Sequence, residues 1–109
     1  MIILGNYRCK LDIIAAILYV ASKTAKKTQI MYQANLSYKV LQRYLFEIES
    51  AHLVIFSDKN QCYSLTEKGR SFLQAYEKYS VTNRNVEKRL VDVASKKKIL
   101  EDLCADDAV

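Results

Sequence analysis

Proline is absent from this chain of 109 residues, and only two glycines, Gly5 and Gly69, punctuate it. Proline breaks helices and glycine commonly ends them. The last 43 residues, Glu67 to Val109, therefore hold no helix breaker after Gly69. No repeat or low-complexity segment occurs. Histidine is present once, as His52, and the three cysteines, Cys9, Cys62 and Cys104, include no pair at metal-ligand spacing. These shortages argue against a zinc site and read the cysteines as free thiols of a reducing compartment. A glycine-rich phosphate loop and a Cys–His constellation are also missing, so neither catalysis nor a cofactor is expected. Asp12, among apolar neighbours, reads as a solvated or salt-bridged carboxylate rather than a catalytic acid. No apolar run approaches the ~18–20 residues that span a bilayer. The longest candidate, Leu11–Ala21, contains Asp12, and Met1–Leu4 is too short for a signal sequence. The expected location is the cell interior, away from membrane.

Half of the residues are hydrophobic and about a quarter are charged, the balance of a globular protein with one core. The net charge of +5 is unevenly placed. Residues 1–45 hold Arg8, Lys10, Lys23, Lys26, Lys27, Lys39 and Arg43 against Asp12 alone, a net +6. The other 64 residues hold ten basic and eleven acidic groups, a net −1. A concentrated cationic half favours a polyanion partner, although such a surface can also simply keep a protein solvated.

Gly5-Asn6 reads as a turn before a first helix over about Arg8–Ser22, with Leu11, Ile14, Leu18 and Ala21 as one stripe widened by Ile17. Ser22–Lys27 is a polar break. A short second helix over about Thr28–Ala34 follows, with Thr28 as N-cap and Ile30 and Met31 turned inward. Asn35-Leu36-Ser37 reads as a tight turn: Asn35 tolerates the left-handed conformation, Leu36 plugs the core, and Ser37 caps the next helix. The third helix, about Tyr38–Ala51, turns Leu41, Tyr44, Leu45 and Ile48 inward and Lys39, Gln42 and Arg43 outward. Two short helices so joined form a helix-turn-helix. Leu53–Phe56 and Cys62–Leu65 are β-prone runs around the polar loop 57–61, hence a hairpin in the position of a wing. Thr66 caps the last helix and Glu67 suits its positive end. Phe72 and Leu73 are expected to pack on the globular core.

That last helix carries a heptad row: Phe72, Tyr76, Tyr79, Asn83, Val86, Leu90, Val93, Lys97, Leu100 and Cys104 alternate at spacings of four and three. A 3.5-residue repeat marks a seam for another helix. Run unbroken from Glu67 to Cys104, 38 residues, it would be about 57 Å long. Val81–Asn85, a stretch of poor helix formers, is the one candidate hinge. Asn83 and Lys97 sit at core-type positions, where a polar group lowers stability but fixes register. Tyr79, Asn83, Val86, Leu90, Val93, Lys97 and Leu100 are the expected dimerisation residues, unless the helix folds back on its own domain. Cys104 can oxidise across a dimer only if partner residues lie close.

The fold class expected is therefore mainly α with a small β-hairpin: a winged helix-turn-helix over residues 1–66, then a long coiled-coil helix over 67–109. Ala25-Lys26-Lys27-Thr28, Ile30-Met31-Tyr32, Ala34–Tyr38, Tyr44-Leu45 and Leu65–Gly69 resemble the archaeal winged-helix proteins of the Sulfolobus "ten-a" chromatin type. The resemblance covers about Tyr7–Tyr79 and is most specific over Lys26–Leu45. It implies a homodimer joined by an antiparallel coiled coil, and binding of double-stranded DNA through the third helix and the wing. It carries over Ser37, Tyr38, Lys39, Gln42 and Arg43 as the residues facing DNA. Similar proteins usually have glycine before the first wing strand; here Ala51-His52 stands there, so His52 must end its helix with a β-carbon in place.

A major groove admits one α-helix whose side chains have reach and hydrogen-bonding capacity. Arg43 can pair bidentately with guanine and Gln42 with adenine, or both can hold phosphates. Tyr38 either donates to a phosphate or shields the core edge. Lys26, Lys27 and Thr28 suit backbone phosphates at a helix start, and Lys59 and Asn60 at the wing tip suit the minor groove or backbone. Chromatin protein and local transcription regulator are both open, in the cytoplasm on the nucleoid. The alternative is a protein-interaction adaptor assembled through the coiled coil, because winged helices also bind proteins.

Overall fold

The computed structural model describes residues 8–105, so the Gly5-Asn6 turn lies outside the described residues. Chain order is α1 (Lys10–Ala21), β1 (Ala25–Lys26), α2 (Lys27–Gln33), α3 (Tyr38–Ser50), β2 (Val54–Ser57), β3 (Cys62–Leu65) and α4 (Glu67–Leu103). This is the expected winged helix-turn-helix with a long last helix, plus one strand that the sequence did not announce. The chain forms two compact units that divide between Tyr76 and Glu77.

In the first unit, α1 buries Ile14, Ala15, Ile17, Leu18 and Ala21, while Leu11, expected in that stripe, is exposed. The helix begins two residues later than expected. Its N-cap is Cys9, whose amide donates to the Asp12 carboxylate at 3.1 Å. Ile30 from α2, Leu41, Leu45 and Ile48 from α3, and Leu73 and Tyr76 from α4 complete the helical part of the core. Phe72 packs against its edge. Each fully buried aliphatic side chain contributes roughly 1.5–3 kcal/mol.

With so few glycines, left-handed helix ends fall to other residues. Thr24, Asn35 and His52 all have φ between 54° and 61°. Asn35 ends α2, its amide donating to the Tyr32 carbonyl and that of Leu36 to the Met31 carbonyl. His52 ends α3 in the same way, with its amide on Glu49 and that of Leu53 on Ile48. The carbonyl of His52 then accepts the Thr66 hydroxyl at 2.6 Å, while Thr66 Oγ1 caps α4 by accepting the Gly69 amide. The expected caps Ser37 and Thr66 are both in place. Thr28 is not the cap of α2. Lys26 is, because the chain leaves β1 directly into the helix, and the Gln29 side chain accepts the Lys26 amide.

The sheet is antiparallel in the order β1-β3-β2. β2 and β3 pair Val54 with Leu65 and Phe56 with Tyr63, and β1 adds Ala25 opposite Tyr63 and Lys26 opposite Cys62. Leu53, expected in the strand, is buried just before it. Gly69 makes this junction possible: a β-carbon there would lie 2.2 Å from the Leu53 carbonyl oxygen.

In the second unit, α4 is helical through Val81–Asn85 and ends at Leu103, one residue before the expected Cys104. Val86, Leu90, Val93 and Leu100 are each between 49% and 65% exposed. Phe72 and Tyr76, the first two members of the heptad row, belong instead to the first unit's core and its edge. No described helix is long and apolar enough to cross a membrane.

Candidate nucleic-acid interface

The face worth building is set by α3. Leu41, Leu45 and Ile48 point into the core and Tyr44 lies at its edge. Helical periodicity then turns Tyr38, Lys39, Gln42 and Arg43 outward, and all four are exposed. Ser37 is exposed as well, but its hydroxyl oxygen accepts the Val40 amide, so its lone pairs serve the cap. The Arg43 guanidinium lies 5.4 Å from the Tyr44 ring centroid.

Phe46 belongs to this face too, at 77% exposure. It follows Gln42 by four residues and Arg43 by three, and that spacing was visible in the sequence. A hydrophobic residue is not expected on such a face, and its exposure is a finding of the structure.

The wing stands next to this face. A shallow groove of about 350 Å³ between α3 and β3 is lined by Lys27, Gln42, Leu45, Phe46, Glu49, Ser50 and Tyr63. A second, of about 360 Å³, lies between the start of α2 and the wing, against Lys26, Lys27, Thr28, Phe56, Gln61 and Tyr63. Tyr63 forms a wall common to both. Its phenol is pushed above its ordinary range by burial first, then by the charge and hydrogen bond of Glu49, so it stays protonated and donates. The Phe56 ring packs on it at 4.8 Å. At the wing tip Lys59 and Asn60 are exposed, and the Gln61 amide side chain closes the loop on the Asp58 carbonyl.

Lys27 is the most heavily engaged of the expected contacts. Its ammonium donates to Gln42 Oε1, lies 3.4 Å from the Tyr38 hydroxyl, and sits 4.6 Å from the Tyr38 ring centroid. Lys26 and Thr28 are exposed beside it, on a helix of only seven residues. The structure thus brings Lys27 onto Tyr38 and Gln42, with Lys26 and Thr28 lining the second groove beside it.

Two other cations of the basic half have partners within the chain. Arg8 donates to the Ala34 and Asn35 carbonyls at 2.6 and 2.8 Å, tying down the helix-turn-helix turn. Lys10 pairs with Glu47 at 2.7 Å. Asp12 is neither free nor catalytic in setting: Oδ1 accepts the Tyr76 hydroxyl and Oδ2 the Cys9 amide. Burial alone would raise its pKa, but the hydrogen bonds from Tyr76 and Cys9, with the Arg8 charge, outweigh that and lower it. Among the described residues no cluster of His, Cys, Asp or Glu could hold a metal ion.

Comparison with known proteins bears on the fold. Residues 7–84 match a winged helix-turn-helix family. No curated protein sequence matches the chain significantly. Among solved structures, Sso10a-2, a DNA-binding protein from Sulfolobus solfataricus, superposes with a TM-score of 0.69 at 25% identity, covering 91% of this chain and all of its own. The transcriptional repressor CouR, bound to p-coumaroyl-CoA, gives 0.61 at 20% identity, covering 89% of this chain and 71% of CouR. ZitR of Lactococcus lactis in complex with DNA gives 0.55 at 15% identity, covering 94% and 78%. At those identities CouR and ZitR speak for the fold alone.

Proposed function

This chain belongs to the winged helix-turn-helix family, and from that premise we propose that it is a homodimeric protein that binds double-stranded DNA. The observation that carries the reading is the exposed row Lys39, Gln42 and Arg43 on the second helix of the helix-turn-helix, next to the wing. α3 enters the major groove; Lys39 holds phosphate while Gln42 and Arg43 meet base edges. Tyr38, Lys26 and Thr28 contact the backbone on one side, and Lys59 and Asn60 reach backbone or minor groove from the wing. Sso10a-2, which matches this chain over its full length, is a DNA-binding protein, and this supports the reading. No catalytic role is proposed.

Dimerisation is supported by α4. Four apolar side chains at heptad spacing, Val86, Leu90, Val93 and Leu100, are about half or more exposed in the single chain. A second copy would cover them, with Tyr79, Asn83 and Lys97 in the same row. The likeness to the Sulfolobus proteins suggests that the two helices run antiparallel. Two linked readers raise the effective concentration of the second contact. The site of action is the nucleoid, either as an abundant chromatin protein or as a local regulator.

Selection from a random duplex pool, followed against salt, tests the reading. A dimer neutralising about seven phosphates gives a log–log salt slope near −6. The pair Lys39→Ala and Arg43→Ala should remove most retention. Steep salt dependence without a motif indicates chromatin; an enriched repeat indicates a regulator. Failure to retain DNA even at low salt ends the DNA reading. The adaptor would then take first place, with Phe46 and Ile55, 77% and 62% exposed, as its contact residues.

A further inference from the structure

We propose that Lys27 is a positioning residue that locks Gln42 into a donor-only reader, giving a preference for guanine over adenine at the base pair Gln42 meets. The inference rests on the DNA-binding reading and specifies one contact within it.

An ammonium has three donors and no acceptor. The contact between Lys27 Nζ and the Gln42 side chain is therefore possible only with the amide oxygen turned toward Lys27. The planar amide then carries Nε2, with its two hydrogens, away from Lys27. Two further contacts favour this position of Lys27. It is half-buried at the start of α2, with the Tyr38 ring 4.6 Å from its charge and the Tyr38 hydroxyl at 3.4 Å. The Glu49 carboxylate lines the same groove, which makes that groove a poor seat for a phosphate.

A free glutamine pairs with adenine by accepting from N6 and donating to N7. Here one lone pair of the oxygen needed for N6 is taken by a cation, and that positive charge repels the polarised N6–H that would approach the other. Charge-assisted hydrogen bonds are roughly twice as strong as neutral ones, so an adenine does not displace Lys27 on equal terms. Two N–H donors remain. They match the adjacent N7 and O6 acceptors of guanine, find one acceptor on thymine, and oppose the N4 donor of cytosine.

The test uses the full chain and a randomised duplex library, comparing wild type with Gln42→Ala, Lys27→Met, Lys27→Arg and Lys39→Ala. The base pair whose preference disappears in Gln42→Ala is the one Gln42 reads. At that pair the wild type should favour guanine, and Lys27→Met should shift the preference toward adenine on the order of tenfold. Its salt slope should stay unchanged. Lys27→Arg, still donor-only, should keep guanine. Lys39→Ala should instead weaken all sequences and reduce the slope by about 0.9 per phosphate lost. Uniform weakening with a shallower slope in Lys27→Met would show an ordinary phosphate contact and overturn the proposal. So would a wild-type preference for adenine at that pair, or retention of DNA with no Gln42-dependent preference anywhere. Loss of all wild-type retention would remove the DNA reading as well, and that outcome is distinct from the other three. If Lys27→Met does not fold, Lys27→Gln serves in its place: a neutral amide can donate or accept, so the preference should again move toward adenine, and an unchanged guanine preference would overturn the proposal.

Discussion

The same helix belongs to two regions with opposite habits. Up to Tyr76, α4 contributes Gly69, Leu73 and Tyr76 to a closed interior; from Glu77 to Ala105 no residue is buried. Composition does not explain the difference. Val86, Leu90, Val93, Ile99 and Leu100 are as apolar as the residues that make the core, yet all are about half or more exposed. Burial needs apolar residues arriving from several elements, and residues 10–76 have seven elements or parts of elements to draw on. Residues 77–105 have one helix. An isolated amphipathic helix gains little in water, and the proposed second copy would supply what the first region draws from its own elements.

Leu90→Asp tests that contrast most severely. On a solitary solvated helix the change should matter little, within about 0.5 kcal/mol. In a dimer seam it buries an unpaired carboxylate on each copy, costing several kcal/mol and abolishing association. Sedimentation gives the mass and thermal melting the state of the first region; a dimer that survives the substitution would remove the seam.

Alanine scanning of α4 should show opposite signs in the two regions. Gly69→Ala would ordinarily stabilise a helix by about 1 kcal/mol. Here the new β-carbon meets the Leu53 carbonyl at 2.2 Å, and backbone cannot swing aside as a side chain does. We expect a net loss of roughly 1–3 kcal/mol in chemical denaturation. Asn85→Ala, exposed in the second region, should instead leave stability unchanged or raise it by a few tenths of a kcal/mol. A stabilising Gly69→Ala would mean that α4 does not approach Leu53 so closely.

Acid should act on the first region through Asp12. Its folded pKa lies below the ordinary 3.8. Its contribution is therefore complete above 3.8 and is lost as pH falls through the lower, folded value. Asp12→Asn should flatten the acid limb of stability against pH. Tyr76→Phe, losing one donor to that carboxylate, should cost about 1 kcal/mol near neutrality and also weaken the acid dependence. An acid limb unaltered in both variants would place the sensitivity elsewhere.

His52→Gly is the gentlest probe. At φ 61° a β-carbon is strained, so glycine should raise the melting temperature slightly, by roughly 0.5–1 kcal/mol of stability. A loss would show that the His52 side chain does more than tolerate its position.

Local signals were easy to read. The turn at Asn35, the caps Ser37 and Thr66, the helix end at His52 and the hairpin of β2 and β3 are all written within a few adjacent residues. Strand β1 was not, because two residues become a strand only through β3, nearly forty positions away in sequence. The cap of α2 moved to Lys26 for the same reason. At the candidate site, the outward turn of Lys39, Gln42 and Arg43 followed from helical period. Phe46 was equally legible by that period and was hidden only by its hydrophobicity.

From the sequence alone came the helical periods, the turn chemistry, the basic half and the heptad row, all properties of residues close together along the chain. The tertiary structure decided what those charges meet within the chain. It brought Arg8 to two carbonyls, 26 and 27 residues away, Lys10 to Glu47 across 37 residues, and Lys27 to Gln42 across 15. What a cation meets depends on what the fold carries to it, and no local pattern records that.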